Sequence, residues 1–321
     1  MKEKTKLVNK VKRLLQKIGC PRWLHHFGPK KYELLDHCFA LLCKQMWQLS
    51  YRRINSILTM LGIKCPSKSA LQYNAKRIPF ALWQKLLKAT TQLTHIAAID
   101  STGMARSIVS YHYLWRIDRD KPSAKPLKLS LAVDTAKKTV LSARVKSSFW
   151  SNDVKDMPYL INNMKYSPKI IVADKAYDSE KLHEYAHDKG IRAVIPLKKN
   201  AKRGFYRLSN AKRFRLRTYH RREIVESVIS ALKRKFGSYV RSRKIQTQRA
   251  EIFCRLILHN IFLCLYGLLG QSLLFIYIFI NPFSLNITLT FLCIFLVTIF
   301  YNYFLWQRAY YHNKVQTYCK L

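Results

Sequence analysis

The rhythm of apolar and polar positions changes near residue 94. Upstream, S-Y-R-R-I-N-S-I-L-T-M-L-G-I places Ile54, Ile57, Leu58 and Leu61 at i, i+3, i+4 and i+7. That spacing predicts an amphipathic helix, and Gly62 is placed to stop it. P-S-K-S-A-L-Q-Y-N-A-K-R-I then offers Ser67 as the cap of a second short helix. Downstream the period shortens. T-H-I-A-A-I-D predicts a short apolar strand ending in Asp100; P-L-K-L-S-L-A-V-D and K-T-V-L-S-A-R-V-K-S alternate around T-A-K-K, a β-hairpin. D-V-K-D-M-P-Y-L-I-N-N-M predicts a helix, K-I-I-V-A-D a buried strand ending in Asp174, and S-E-K-L-H-E-Y-A-H-D-K-G a helix between Ser179 and Gly190. I-R-A-V-I-P is a further strand, and residues 219–236 form a long helix closed by Gly237. The order β-β-β-α-β-α-β-α predicts a mixed α/β sheet with helices on its faces.

Charge adds a partner to this outline. The chain of 321 residues has 58 Lys and Arg against 17 Asp and Glu, a formal net charge of +41. Such an excess calls for a polyanion, either nucleic acid or an anionic membrane surface. Aromatic content of 13% and hydrophobic content of 49% exclude a disordered basic tail. The second N-terminal helix carries Lys68, Gln72, Asn74, Lys76 and Arg77, side chains that read bases and phosphates, so the pair suggests a helix-turn-helix. An ordinary basic helical hairpin fits the same pattern. The eight cysteines form no C-x-x-C pair, which points to free thiols in a reducing compartment. The N-terminus lacks the apolar core of a signal peptide. The expectation is a cytoplasmic, nucleoid-associated protein.

Acids are scarce and unevenly placed. Three precede residue 99, fourteen lie from Asp100 to Glu251, and none follows. Asp100 and Asp174 each end an apolar run, where chemistry collects in open α/β sheets. A third comes from the closing helix. At about 100° per residue, Tyr219, Arg222, Glu226 and Lys233 share an arc of about 60° beside the apolar stripe Val225, Val228, Ile229, Leu232 and Phe236. Glu223 falls on the solvated side. Three carboxylates converging in so basic a chain suit two Mg²⁺ (or Mn²⁺) ions, hard cations that take oxygen ligands and serve phosphodiester cleavage. Asp134 reads as a turn residue, Asp153 and Asp156 as helix-starting acids with Asp153 bordering the site, and Asp178 as a helix cap.

These residues carry a resemblance. I-D-S-T-G around Asp100, V-A-D-K-A-Y-D-S around Asp174 and the complete Tyr-x2-Arg-x3-Glu-x6-Lys pattern of Tyr219, Arg222, Glu226 and Lys233 resemble the DDE transposases of prokaryotic insertion sequences. The resemblance covers roughly residues 50–265. It implies a ribonuclease-H-like catalytic domain, with Asp100, Asp174 and Glu226 as metal-binding catalytic acids. It also implies that Arg222 and Lys233 contact the element's terminal DNA and that Tyr219 positions it. Ala176 stands where the family more often has Gly. The short interval from Asp174 to Glu226 implies that a large insertion carried by some relatives is absent. The implied reaction is hydrolysis at element ends followed by attack of the 3′-OH on target DNA, by a homodimer on DNA. No nucleotide-binding glycine pattern is present.

The expected organisation is a basic helical DNA-binding region at 1–90, the catalytic domain at 91–240, a terminal helix at 241–268 and a hydrophobic tail at 269–321. H-E-Y-A-H at His183–His187 matches a zinc-protease motif literally, but no third ligand follows at position 193 or nearby, and a solvated crossover helix is the plainer reading. From Leu256 to Gln307 there is no Asp, Glu, Lys or Arg. Three readings stay open for this tail: a membrane hairpin, a packed dimer element, or a frameshifted or read-through terminus. Two alternatives to an active transposase follow, a catalytically inactive DNA-binding remnant and a membrane-attached basic protein.

Overall fold

The computed structural model describes residues 19, 21–24, 31–106, 126–147, 152–201 and 203–278. The chain divides into two compact units, Met1–Gly267 and Leu268–Leu321, and the fold set out below is that of the first.

Among the described residues four helices lead into the sheet: α1 (Leu34–Met46), α2 (Tyr51–Met60), α3 (Lys68–Arg77) and α4 (Phe80–Ala89). The signals for α2 and α3 act as the sequence suggests. The Ser50 and Ser67 hydroxyls each accept an N-terminal backbone N–H, and Gly62 takes the left-handed φ of 66° that a helix-terminating residue needs. Ile54, Leu58, Cys65 and Leu71 close a small core with Ala40 and Cys43 of α1. Asn74 does not face outward as expected; its side-chain amide lies 3.1 Å from the His37 ring on α1.

The sheet has the order β3-β2-β1-β4-β5. β1 (Ile96–Met104) pairs antiparallel with β2 (Leu127–Asp134), and β2 pairs antiparallel with β3 (Val140–Lys146). On the other side β1 runs parallel to β4 (Ile170–Ala173), and β4 parallel to β5 (Arg192–Val194). This is a ribonuclease-H-like mixed sheet, and helices cover both faces. One core joins Ala98, Leu129, Leu131 and Val133 to α1, α4 and the later helices; the other joins Ala97, Ile99, Ala132, Ile171 and Ala193 to α5 (Asp156–Asn162) and α6 (Glu180–Asp188). The alternation in β2 therefore does not mark a solvated face. All eight of its residues are buried, since both layers close over it.

Asp100 does not end its strand. β1 continues to Met104 because β2 pairs with it throughout, Ala97 opposite Asp134 and Met104 opposite Leu127. Beyond Met104, Ala105 bonds to the backbone of Ser238 and Val240. The ladder to β4 is the one that stops, at Ile99 opposite Ala173.

Other expectations shift as well. Asp153 and Asp156 do open helical turns, but Asp156 is wholly buried among cations. Asp134 forms the expected turn, accepting from Ala136 N at 2.8 Å. Ser179 makes no capping bond and Asp178 is no cap. An unpredicted helix, α7 (Phe205–Lys212), follows β5, and Asp178 holds it through two bonds to Arg207 of 2.6 and 2.7 Å. Glu180 accepts from the backbone N–H groups of Tyr206 and Arg207 at the start of α7. Gly204 precedes them at φ 119°, where a Cβ would collide with that carboxylate.

The long helix expected over 219–236 is broken into α8 (Leu216–Tyr219), a 3₁₀ turn at His220–Arg222 and α9 (Glu223–Phe236). Its buried stripe is the one expected, Val225, Val228, Ile229, Leu232 and Phe236, and Gly237 ends it at φ 87°. α10 (Ile245–Ile278) follows; its residues up to Gly267 belong to this unit. Asn260 on α10 accepts from Val140 N and donates to Val140 O, both at 2.8 Å, satisfying the backbone of strand β3. Cys38, Cys43, Cys65 and Cys254 are buried free thiols and Cys264 is partly exposed; Cys20, Cys293 and Cys319 lie outside the described residues. Among the described residues no helix is long and apolar enough to cross a membrane. The apolar stretch after residue 278, and with it the choice among readings of the tail, lies outside them.

Candidate active site

Strand alternation decides which side chains of β1 can meet α9. Ala98 packs in the core on the α9 side, so Asp100 and Thr102 face that way, while Ile99 and Ser101 face α5. Asp174 follows β4 and opens a 3₁₀ turn, Lys175–Tyr177. Asp100 and Asp174 thus sit just past the last rung of the β1–β4 ladder. Ala176 fits this turn without a positive φ: among the described non-glycine residues only Gln48 and Lys138 have one.

The helical stripe faces these acids despite the break in the helix. The Tyr219 hydroxyl donates to Asp174 Oδ1 at 3.5 Å, the limit of a hydrogen bond. Arg222 Nη1 lies 2.5 Å from Glu226 Oε1 and 4.0 Å from Asp100 Oδ2. Two turns further on, Lys233 donates to Thr102 Oγ1 at 2.6 Å. Glu223 points away, largely exposed, beside His220.

The electrostatics match this crowding. Burial raises the Asp100 carboxyl above its ordinary value; the Ser101 N–H and Arg222 oppose the rise, and Glu226 and Asp174 add to it. Burial lowers the Lys233 ammonium. The donors offered by the three acids are carboxylate oxygens alone, the set a hard divalent cation takes. Among the described residues no three His, Cys, Asp or Glu side chains stand close enough to hold an ion as they are. Arg222 lies between Asp100 and Glu226 and supplies positive charge where the acids approach. The donor chemistry and the need for a cation therefore fit a divalent metal, with Arg222 partly meeting that need.

A family model for the transposase DDE domain matches residues 92–261, more than half of the chain. The chain belongs to the DDE transposase family. Solved transposases resemble it distantly. The piggyBac transposase synaptic complex with hairpin DNA shares 11% identity over 82% of this chain and 72% of that one, at a TM-score of 0.43. The Mos1 transposase paired-end complex with left transposon end shares 12% over 79% and 87%, at 0.23. The assignment rests on the family match.

The remaining predicted residues of this transposase are spread differently. Lys68, Lys76 and Arg77 lie exposed on α3 with Gln72 and Tyr73, and Arg77 donates to the Tyr73 hydroxyl at 3.1 Å. Arg203, Lys212, Arg213, Arg215, Arg217 and Arg221 are also exposed, in a stretch with no acid between Asp188 and Glu223. His183 of the zinc-like motif is buried against Asp178 and Asn210, whereas His187 is exposed, so the two imidazoles do not share a site. The buried face of α6 corrects the expectation of a solvated helix. Asp153 pairs with Lys128 at 2.5 Å on the α5 side of the sheet. The sequence did not single out Ser101, Ser130 or Tyr177; only Ser130, between Leu129 and Leu131, carried a signal as a hydroxyl set in an apolar run.

Proposed function

We propose that this transposase cuts phosphodiester bonds at the ends of its element and joins the freed 3′-OH to target DNA, with Asp100, Asp174 and Glu226 as its metal-holding acids. The observation that carries this reading is the meeting of Asp100 and Asp174 where the β1–β4 ladder stops, with Arg222 joining Asp100 to Glu226. Two Mg²⁺ (or Mn²⁺) ions bound by these acids would supply charge at the attacking and the leaving oxygens of an in-line transfer.

The protein's own residues bind and orient the DNA. Arg222 sits between acids; were these acids to hold metal, its guanidinium would be free to turn to a phosphate, which suits its planar array of donors. Lys233, anchored on Thr102, and Tyr219, beside Asp174, flank the acids and position the strand end. The exposed Lys68, Lys76 and Arg77 on α3 neutralise phosphates further along the element end. In this reading residues 1–90 bind DNA, 91–240 form the catalytic domain and 241–268 brace it; the protein belongs to the insertion-sequence group and acts on the nucleoid as a homodimer that brings two ends together.

The test is joining of a pre-cut element end to a plasmid by the full-length protein in Mg²⁺. Joined product that disappears in Asp174→Asn supports the reading. DNA binding without joining by the wild-type chain favours the inactive, DNA-binding alternative.

A further inference from the structure

Ser101, next to Asp100, points to the opposite face of the sheet and enters a buried chain of hydroxyls. Its Oγ donates to Ser130 Oγ at 2.8 Å, and Ser130 Oγ donates to Asp156 Oδ2 at 2.8 Å. Its other neighbour is the Tyr177 hydroxyl, 3.0 Å away. Ser130, Asp156 and Tyr177 are each buried to within 1%. Asp156 is ion-paired to Arg144 at 2.9 Å and to Lys146.

The direction of this chain is dictated by its end. A carboxylate only accepts, so Ser130 must give its proton to Asp156. Ser101 must then give its proton to Ser130, and Tyr177 must donate to Ser101. Burial pushes the Tyr177 phenol up, which keeps that proton in place. The four groups thus have one arrangement that leaves none of these bonds unmade, and aligned chains of this kind reinforce each other.

Position gives the chain its consequence. Past Ile99–Ala173 no β1–β4 ladder ties the segment bearing Asp100 to the one bearing Asp174. The Ser101–Tyr177 bond joins them there. Meanwhile the Ser101 N–H donates to Asp100 Oδ1 at 2.8 Å, so the residue that anchors the chain also orients one acid. Tyr177 closes the turn opened by Asp174, its N–H bonded to Asp174 O at 2.9 Å.

We propose that Tyr177, Ser101, Ser130 and Asp156 act as one set of positioning residues, holding Asp100 and Asp174 at a fixed spacing from the far face of the sheet. This rests on the reading that these acids hold the divalent ions. Groups that orient ligands from behind typically govern metal affinity by about 10–100-fold.

The experiment titrates Mn²⁺ alone into the full-length protein, reading free Mn²⁺ by electron paramagnetic resonance, with the Mg²⁺ concentration for half-maximal element-end cleavage as a second readout. Ser101→Ala and Tyr177→Phe should each raise both concentrations about tenfold or more. Ser101→Thr, which keeps the hydroxyl, should stay near wild type. The double variant should be no worse than the weaker single, because either change breaks the same chain. Losses that multiply in the double variant, or a Thr variant as impaired as Ala, would overturn the proposal. So would Ala and Phe variants that bind like wild type while Asp100→Asn does not, and the metal-site reading would then stand without it. Wild type and Asp100→Asn behaving alike in both readouts would instead sink the reading underneath.

Discussion

Arg222 Nη1 lies 2.5 Å from Glu226 Oε1, four residues along the chain, and the same nitrogen is 4.0 Å from Asp100 Oδ2. One guanidinium therefore spans an acid on the sheet and an acid on the helix. In the absence of metal it reduces the mutual repulsion that Asp100 feels from Glu226 and Asp174.

Arg222→Ala should therefore leave the metal-free protein less stable and more responsive to metal. Saturating Mg²⁺ should raise the melting temperature of the variant by about 2–4 °C more than that of wild type, an added coupling of about 1 kcal/mol. Differential scanning calorimetry with and without Mg²⁺ measures it. Equal shifts would mean that Arg222 and the ions do not meet the same need.

Asp100 carries the opposite liability. Its folded pKa lies above the ordinary carboxylate value, so its stability contribution is complete below the unfolded pKa and is lost as pH rises through the folded one. In metal-free buffer Asp100→Asn should melt higher than wild type at pH 7, because it removes a carboxylate that burial disfavours. That advantage should vanish near pH 3, about where both forms of the wild-type side chain are neutral. Melting curves at the two pH values decide. An Asn variant no more stable at pH 7 would mean that the charge at Asp100 is already compensated.

Asp178 behaves in reverse. Burial would raise it, but the Arg207 hydrogen bonds, the Lys198 N–H and the nearby charges outweigh that, and its pKa falls. Its contribution is then full above the unfolded carboxylate value, about 4, and is lost as pH falls through its own lower one. Asp178→Ala should cost about 1.5–3 kcal/mol at pH 7 through loss of its charged hydrogen bonds to Arg207, and less in acid. Urea unfolding across pH 3–7 gives the difference, and a pH-independent cost would contradict the assignment.

Much of this was legible in the chain because it depends on local rules. The buried stripe from Val225 to Phe236 and the stops at Gly62, Gly190 and Gly237 follow from helical period and left-handed backbone. Asp100 and Asp174 stood out because acids rarely follow apolar strands. What stayed hidden depends on distant partners. Asp156 and Asp178 look like helix-starting acids until the folded chain brings Arg144, Lys146 and Arg207 to them. The end of β1 could not be read from its apolar run, since pairing with β2 extends it past Asp100. α7 has no buried residue to betray it; Glu180 and Asp178 hold it by hydrogen bonds.

The exposed cations of α3 should register as phosphate contacts. Changing Lys68, Lys76 and Arg77 together to Ala should weaken binding to element-end DNA at low salt. It should also reduce the slope of log affinity against log salt by about one for each phosphate lost. Fluorescence anisotropy over a salt series measures both. An unchanged slope would place the DNA on another face, such as the basic stretch before Glu223.

The most direct test is Mg²⁺-dependent cleavage of DNA carrying the element ends by full-length wild type and Glu226→Gln, with DNA binding measured alongside. Wild type should cleave the strand, the variant should lose at least about 100-fold on removal of a metal-holding acid, and both should bind DNA undiminished. Cleavage that persists in Glu226→Gln would contradict this role for Glu226.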